Sequence, residues 1–295
     1  MDKLKILLPK GRIYDNVVEL FNGAGISIKL PERAYRPTVN QDDLEAKVMK
    51  PQNIGKLLEL GAHDVGFTGR DWIEETSADV EEIMDLGFDK VRIVAAVPNA
   101  IDDKQLKSKR VIVATEYENI SKRWLDSEKI DSLVVRTYGA TEVFPPDDAD
   151  MIIDNTATGR TLVENGLRIV DTIMTSSTRM FASKEAMKDP EKKKKILELK
   201  MLFEAVLDAR DRVMLEMNVT KENFDALVKG LPSMRSPTVS PLYGDDGFAV
   251  KIAVIAVISI ALFELMSSLG LKNEKALFIN NLIFAIALYV VALIK

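Results

Sequence analysis

Asp154, Thr156, Thr158, Gly159 and Thr161 crowd one acid, three hydroxyls and one glycine into a single short loop. The apolar run Met151 to Ile153 before them reads as a buried strand, and the pattern after them as a helix starting near Thr161. Main-chain N–H groups from Thr156 through Ala157 and Arg160 to Thr161 then face the space ahead of that helix. Unpaired amides and aligned peptide dipoles in such a place favour an anion, here a phosphate monoester. The threonine hydroxyls add donors, and Gly159 lets the backbone approach closely. Asp154 only accepts hydrogen bonds when ionised, so it suits the ribose hydroxyls of a sugar phosphate better than its phosphate. An ordinary strand–turn–helix has the same outline, and the segment alone leaves both readings open.

Such a loop needs strands to hold it. Leu4 to Leu8 is a short apolar strand, followed by Pro9-Lys10-Gly11-Arg12 and an amphipathic helix from about Ile13 to Ala24. Asp64 to Thr68 reads as another strand, after which Gly69-Arg70-Asp71-Trp72 opens a helix. Val91 to Val97 and Val111 to Ala114 are further strands, and helices are expected at about Asn119 to Ser127 and Thr161 to Gly166. This alternation predicts α/β layers with mostly parallel sheets, whose ligands bind beyond the carboxyl ends of the strands. Pro9–Arg12, Thr68–Arg70, Thr115–Tyr117 and Asp154–Thr161 all sit at such ends and can line one cleft. A long helix is predicted from Pro190 to Val213, capped by Asp189. Its run Lys192 to Lys195 reads as a solvated face rather than an anion site. Strand 213–219, helix 221–229, a turn at Gly230-Leu231-Pro232 and strands 237–242 and 248–252 then suggest a small α+β module of the ferredoxin-like type.

Composition narrows the chemistry. With 295 residues the chain has room for two or three domains, and a content of 47% hydrophobic and 29% charged residues is that of a water-soluble globular protein. The net charge of −5 argues against a general nucleic-acid binder. There is no cysteine and a single histidine, His63, so thiolate metal sites and Ser-His catalysis have no material; His63 itself reads as a loop or structural residue. The apolar run in Met1 to Pro9 is short for a secretion signal, and a cytoplasmic location is the default expectation.

The acid, small residues and Thr-Gly-x-Thr resemble the phosphoribosyl-pyrophosphate loop of phosphoribosyltransferases, except that their frequent second acid is Asn155 here. Further motifs are Leu8-Pro9-Lys10-Gly11-Arg12, Gly61 to Trp72, Ala114-Thr115-Glu116-Tyr117, Gly139-Ala140-Thr141-Glu142-Val143 and Ser236-Pro237-Thr238. In this order they resemble the long form of the ATP phosphoribosyltransferase family, which opens histidine biosynthesis, over about residues 1–254. The resemblance implies two α/β lobes of the periplasmic-binding-protein type and a C-terminal ferredoxin-like regulatory module. Lobe I would take residues 1–90 with 176–211, lobe II residues 91–175, and the module residues 212–295. It further implies that Asp154 and the Thr156–Thr161 backbone hold phosphoribosyl pyrophosphate. Lys10, Gly11, Arg12, Thr68, Gly69 and Arg70 would serve pyrophosphate or triphosphate, and Tyr117 and Glu142 the nucleotide. Mg2+ would arrive mainly on the substrate. Adenine N1 of ATP would displace pyrophosphate from the anomeric carbon, a step that needs positioning and charge stabilisation rather than a nucleophilic side chain. Family members assemble as dimers and hexamers and bind inhibitory histidine in the C-terminal module. Asn218, Met234, Ser236 and Thr238 are the matching positions, although some members carry an acid where Asn218 stands.

The tail departs from the family. Ile252 to Phe263 is uncharged, and Ala276 to Ile294 is a 19-residue stretch without a charge, long enough to cross a bilayer. A divergent regulatory module, a membrane or interface segment and a shifted reading frame all fit. Two other functions share parts of the pattern. One is a cytoplasmic small-anion or amino-acid binding or sensory protein on the same two-lobed fold. The other is a phosphoribosyltransferase for a free nucleobase, which shares the loop but not the other motifs in this order.

Overall fold

The computed structural model describes residues 3–255 apart from 33, 103–105, 107, 211, 231–236 and 245–246. The regulatory candidates Met234 and Ser236, the Leu231-Pro232 turn and the apolar tail from 256 onward therefore lie outside the described residues. The chain forms two compact units, Met1–Phe203 and Glu204–Lys295.

The first unit contains two five-stranded sheets. One is built from β1 (Leu4–Pro9), β4 (Leu44–Met49), β5 (Val65–Gly69), β6 (Val80–Asp85) and β12 (Thr178–Ser183), in the order β4-β1-β5-β12-β6. The other uses β7 (Val91–Pro98), β8 (Val111–Thr115), β9 (Ser132–Arg136), β10 (Met151–Thr156) and β11 (Leu167–Ser176), in the order β11-β7-β10-β8-β9. A small hairpin, β2 (Ile28–Lys29) with β3 (Thr38–Val39), stands apart from both. The chain passes between the two sheets after β6 and again after β11. Those crossings explain why the sheets are mixed. β1 is parallel to β4 and β5, and β8 is parallel to β9 and β10, as alternating β/α units require. Strands at the crossings arrive reversed, so β12 is antiparallel to β5 and β6, and β7 to β10 and β11.

Helices α1 (Arg12–Gly23), α2 (Pro51–Glu59) and α3 (Arg70–Thr76) belong to the first lobe; α4 (Glu118–Glu128) and the short α5 (Arg160–Glu164) belong to the second. α6 (Lys184–Lys188) leads into α7 (Pro190–Arg210). Asp189 caps α7, its carboxylate accepting from the Glu191 and Lys192 amides at 2.9 and 3.2 Å. Ile196, Leu199 and Phe203 on α7 are buried. Phe21, Phe67 and Phe203 meet edge to face with centroids 4.9 to 6.0 Å apart, binding α7 to α1 and β5.

Two expectations about α7 change. It ends at Arg210 rather than Val213, because from Arg212 onward each residue pairs with a partner strand. The lysine run is not one solvated face. Lys192 reaches the buried Asp64 at 2.9 Å and Lys195 reaches Asp43 at 3.0 Å, while Lys193 and Lys194 line an open groove. Helical spacing turns the first and last of four consecutive lysines onto the same side of the helix, here the side that meets the first lobe.

In the second unit β13 (Arg212–Thr220), β14 (Thr238–Pro241) and β15 (Gly247–Ile255) form an antiparallel sheet with β15 central, and α8 (Lys221–Gly230) covers one face. Met217, Val219, Leu227, Val250 and Ile252 make its core, with Phe224 against Phe248 at 4.5 Å. The β-α-β-β order makes this the ferredoxin-like module. The whole is a two-lobed α/β fold of the periplasmic-binding-protein type followed by an α+β module. Among the described residues no helix is long and apolar enough to cross a membrane.

Candidate active site

Met151, Ile152 and Ile153 are fully buried between β7 and β8, which delivers Asp154 to the strand end. The Thr115 hydroxyl donates to the Ile153 carbonyl at 2.6 Å and accepts from the Tyr117 amide at 2.8 Å, tying the two neighbouring strand ends together. Beyond Asp154 the loop is braced by Thr156, whose hydroxyl accepts from the Gly159 amide at 2.9 Å. Gly159 has φ 84°, the left-handed region that favours glycine. The Thr158 hydroxyl takes only a long contact, 3.4 Å from the Arg160 amide. Among the described residues the amides of Ala157, Thr158 and Thr161 have no acceptor in the protein. α5 is a five-residue helix, too short to contribute much dipole. The attraction for an anion therefore rests on the loop amides and hydroxyls.

Asp154 itself is electrostatically raised. Burial pushes its carboxyl up to about 6, and the nearby Glu116 and Glu142 charges push the same way, while the Asn155 amide and the Thr141 hydroxyl favour the anion. This strand end thus presents carboxylates that gain from a bound cation. Among the described residues no group of three or more metal-binding side chains is spaced to hold a metal ion. A divalent ion there would have to share its coordination with the ligand that brings it.

The remaining predicted positions do not converge on one cavity. Lys10 and Gly11 line a 390 Å³ cavity with Tyr14, Glu32 and Tyr35, and the Lys10 ammonium lies 5.3 Å from the Tyr35 ring centre. Arg12 is 3.5 Å from Asp89. Arg70 is 3.6 Å from Glu74 and lines a different cavity of 490 Å³ with Trp124 and Met174. Arg160 pairs with Glu164 at 2.7 Å, away from the loop amides. The Arg70–Glu74 and Arg160–Glu164 pairs are exposed, so an incoming phosphate can displace them at little cost, whereas the Asp89 side chain that faces Arg12 is only 7% exposed.

Two of the expected positions are engaged in packing contacts. The Thr68 hydroxyl is buried and donates to the Pro51 carbonyl at 3.1 Å, which ties α2 to β5. Tyr117 is 1% exposed, with its ring stacked on Trp72 at 4.6 Å and its hydroxyl donating to Asp71 at 2.7 Å. Gly69 has a packing reason to be glycine: a Cβ there would lie 2.1 Å from the Asp71 carboxylate. His63 is partly buried, its pKa lowered first by that burial and then by Lys47 and Lys5.

Sequence reading missed Lys90 and Arg92. They line a 410 Å³ cavity together with Ala157 of the loop, Thr175, Ser176 and Arg179. Arg179 is neutralised by Glu82 and Asp85, at 2.5 and 3.2 Å. Lys90 and Arg92 make no short ion pair among the described residues, although the Lys90 charge helps to lower the pKa of Asp85, which lines the same cavity. The rule that ligands sit at carboxyl ends of strands points away from them, because they stand at the start of β7. β7 runs antiparallel to β10, however, so Arg92 pairs with Thr156 and its guanidinium reaches the neighbourhood of Gly159.

A strand-end acid followed by unpaired threonine-loop amides, on two interleaved α/β lobes, is an arrangement that suits a phosphorylated sugar. Residues 50–205 match the sequence profile described as ATP phosphoribosyltransferase, and residues 209–270 match that of its C-terminal domain. The chain is 40% identical to the ATP phosphoribosyltransferase of Chlorobium phaeovibrioides over 258 residues, covering 85% of this chain and 88% of that protein. It is 38% identical to that of Chlorobium luteolum over 286 residues, 95% and 97% of the two chains. A solved ATP phosphoribosyl transferase complex (HisG:HisZ) from Thermotoga maritima shares the fold, with a TM-score of 0.64 and 24% identity over 70% of this chain and 99% of that one. The chain belongs to the ATP phosphoribosyltransferase family.

Proposed function

We propose that this chain transfers the phosphoribosyl group of phosphoribosyl pyrophosphate to N1 of ATP, giving phosphoribosyl-ATP and pyrophosphate, the first step of histidine biosynthesis. The observation that carries the reading is the set of unpaired amides at Ala157, Thr158 and Thr161 directly behind Asp154. These amides and the Thr158 and Thr161 hydroxyls hold the 5′-phosphate, and Asp154 orients the ribose hydroxyls. Mg2+ comes in on the pyrophosphate, and Glu116 and Glu142 lend it negative charge nearby. Lys90 and Arg92 face the loop from the other side and balance the phosphates.

The bond from C1′ to the pyrophosphate oxygen breaks as the N1 lone pair forms the new bond, and both electrons of the broken bond leave with pyrophosphate. Positive charge grows on the ribose, where Asp154 lies, and negative charge on the leaving group, where the cations lie. N1 carries no proton before attack, so the protein need not supply a strong base at that step. Lys10, Arg12 and Arg70 are the cations offered to the ATP phosphates.

The reading extends to a cytoplasmic homo-oligomer, dimer to hexamer, restrained by histidine. Asn218 and Thr238 lie on the sheet face that α8 leaves open and are exposed there. That placement suits a subunit contact shaped by a small ligand. The test of activity is direct. Incubation with phosphoribosyl pyrophosphate, Mg2+ and ATP should yield the N1-substituted nucleotide and pyrophosphate. Product from free adenine or orotate in place of ATP would instead favour a nucleobase transferase, and tight anion binding without turnover would favour a binding protein.

A further inference from the structure

A chain of hydrogen bonds, buried at its Asp71 end and exposed at Asn155, runs from the first lobe to the phosphate loop. Asp71, at the start of α3, is 4% exposed and accepts from the Ser176 hydroxyl at 2.6 Å and from the Tyr117 hydroxyl at 2.7 Å. Tyr117, from the second lobe, in turn accepts from the Asn155 side-chain amide at 3.1 Å. The same amide nitrogen reaches the Asp154 carboxylate at 3.2 Å, and the Asn155 main-chain N–H reaches that same oxygen at 2.7 Å.

The direction of every donor in this chain is fixed by its buried end. An ionised Asp71 can only accept, so Tyr117 must give it its one proton and can then only accept from its next neighbour. Position 155 must therefore donate. A second carboxylate, common in loops of this type, cannot do that; an amide can, and it has a further proton for Asp154. We propose that Asp71, Tyr117 and Asn155 are positioning residues that orient Asp154 for the ribose of phosphoribosyl pyrophosphate, and that the polarity of this chain is why residue 155 is an amide. None of the three touches the reacting atoms. The inference rests on the phosphoribosyl-transfer reading above. It adds that the α3 side of the cleft, where Trp72 stacks on Tyr117, is mechanically joined to the phosphoribosyl side.

The test uses the full chain with Asn155→Asp and Tyr117→Phe. Asn155 is exposed, so its isosteric replacement leaves the core untouched. Both variants lose the oriented amide contact. KM for phosphoribosyl pyrophosphate should rise about tenfold in each, the usual order for one lost hydrogen bond near a charge, with KM for ATP changed less than about twofold. The acid limb of kcat/KM for phosphoribosyl pyrophosphate should also move to higher pH. Asp154 is faced by Glu116, Glu142 and the Tyr117 hydroxyl, and among the described residues no cation is placed to replace the lost donor. Asn155→Gln, which keeps an amide, should recover part of the loss. Wild-type KM and acid limb in Asn155→Asp, or equal losses for both substrates in step with a lowered melting temperature, would overturn the inference. Because each variant is compared with an active wild type, those outcomes leave the transferase reading standing; an inactive wild type removes that reading instead.

Discussion

At the scale of single residues, Asp154 is the group whose behaviour is most open to measurement. Its folded pKa of about 6 lies above the ordinary 3.8. The fold therefore holds its proton more tightly than the unfolded chain, and its contribution to stability, present at low pH, is lost as pH rises from 3.8 through about 6. Function needs the anion. The acid limb of kcat/KM for phosphoribosyl pyrophosphate is expected near pH 6 and should vanish in Asp154→Asn, where only the substrate's own titration remains. If the limb is the same in both proteins, Asp154 is not in the site. Thr158→Val removes a hydroxyl that the protein itself barely uses, and should weaken phosphoribosyl pyrophosphate binding by about 1–3 kcal/mol with unchanged thermal stability. Arg92→Gln should do likewise for the same substrate and spare ATP; an effect confined to ATP would place Arg92 at the nucleotide.

At the scale of elements, two contacts decide how α3 and α7 are held. Gly69→Ala would drive a methyl into the Asp71 carboxylate. Asp71 must then leave Ser176 and Tyr117, so we expect a destabilisation of about 1–3 kcal/mol in denaturant titration, with a rise in KM for phosphoribosyl pyrophosphate. A stable and fully active Gly69→Ala would show that α3 shifts freely and that the contact matters little. Lys192 on α7 is paired to Asp64, which is 5% exposed in its side chain and also accepts from the Lys5 main-chain amide at 2.8 Å. Lys192→Met leaves a buried carboxylate with one partner fewer and should cost about 3 kcal/mol. Lys193→Met, in the open groove, should cost almost nothing, and melting curves of the two variants separate the cases.

At the scale of the molecule, the two crossings between sheets place the start of β7 beside the end of β10. The phosphate loop is thereby built from strands that are distant in sequence and opposite in direction. Among the described residues of the C-terminal module, α8 packs one face of the sheet, and Asn218 and Thr238 sit exposed on the other. Light scattering with and without histidine tests whether that face works in assembly. A histidine-dependent change in mass or rate is expected, and no response at millimolar histidine discards the regulatory reading.

The phosphate loop, the strand that carries it and most of the helices, though not α2 or α6, could be read directly from the chain. Apolar runs, threonine–glycine spacing and capping residues act through neighbours a few positions away, so their effects are written locally. Asp189 capping α7 and the left-handed Gly159 are of that kind. Tertiary structure alone decided which polar groups remain free. Thr68 and Tyr117 look available in the sequence, yet they spend their hydroxyls on Pro51 and Asp71. Lys90 and Arg92 look incidental, yet an antiparallel strand carries them to the loop. Whether a side chain is free depends on partners up to a hundred residues distant and on strand direction, and no local pattern encodes either.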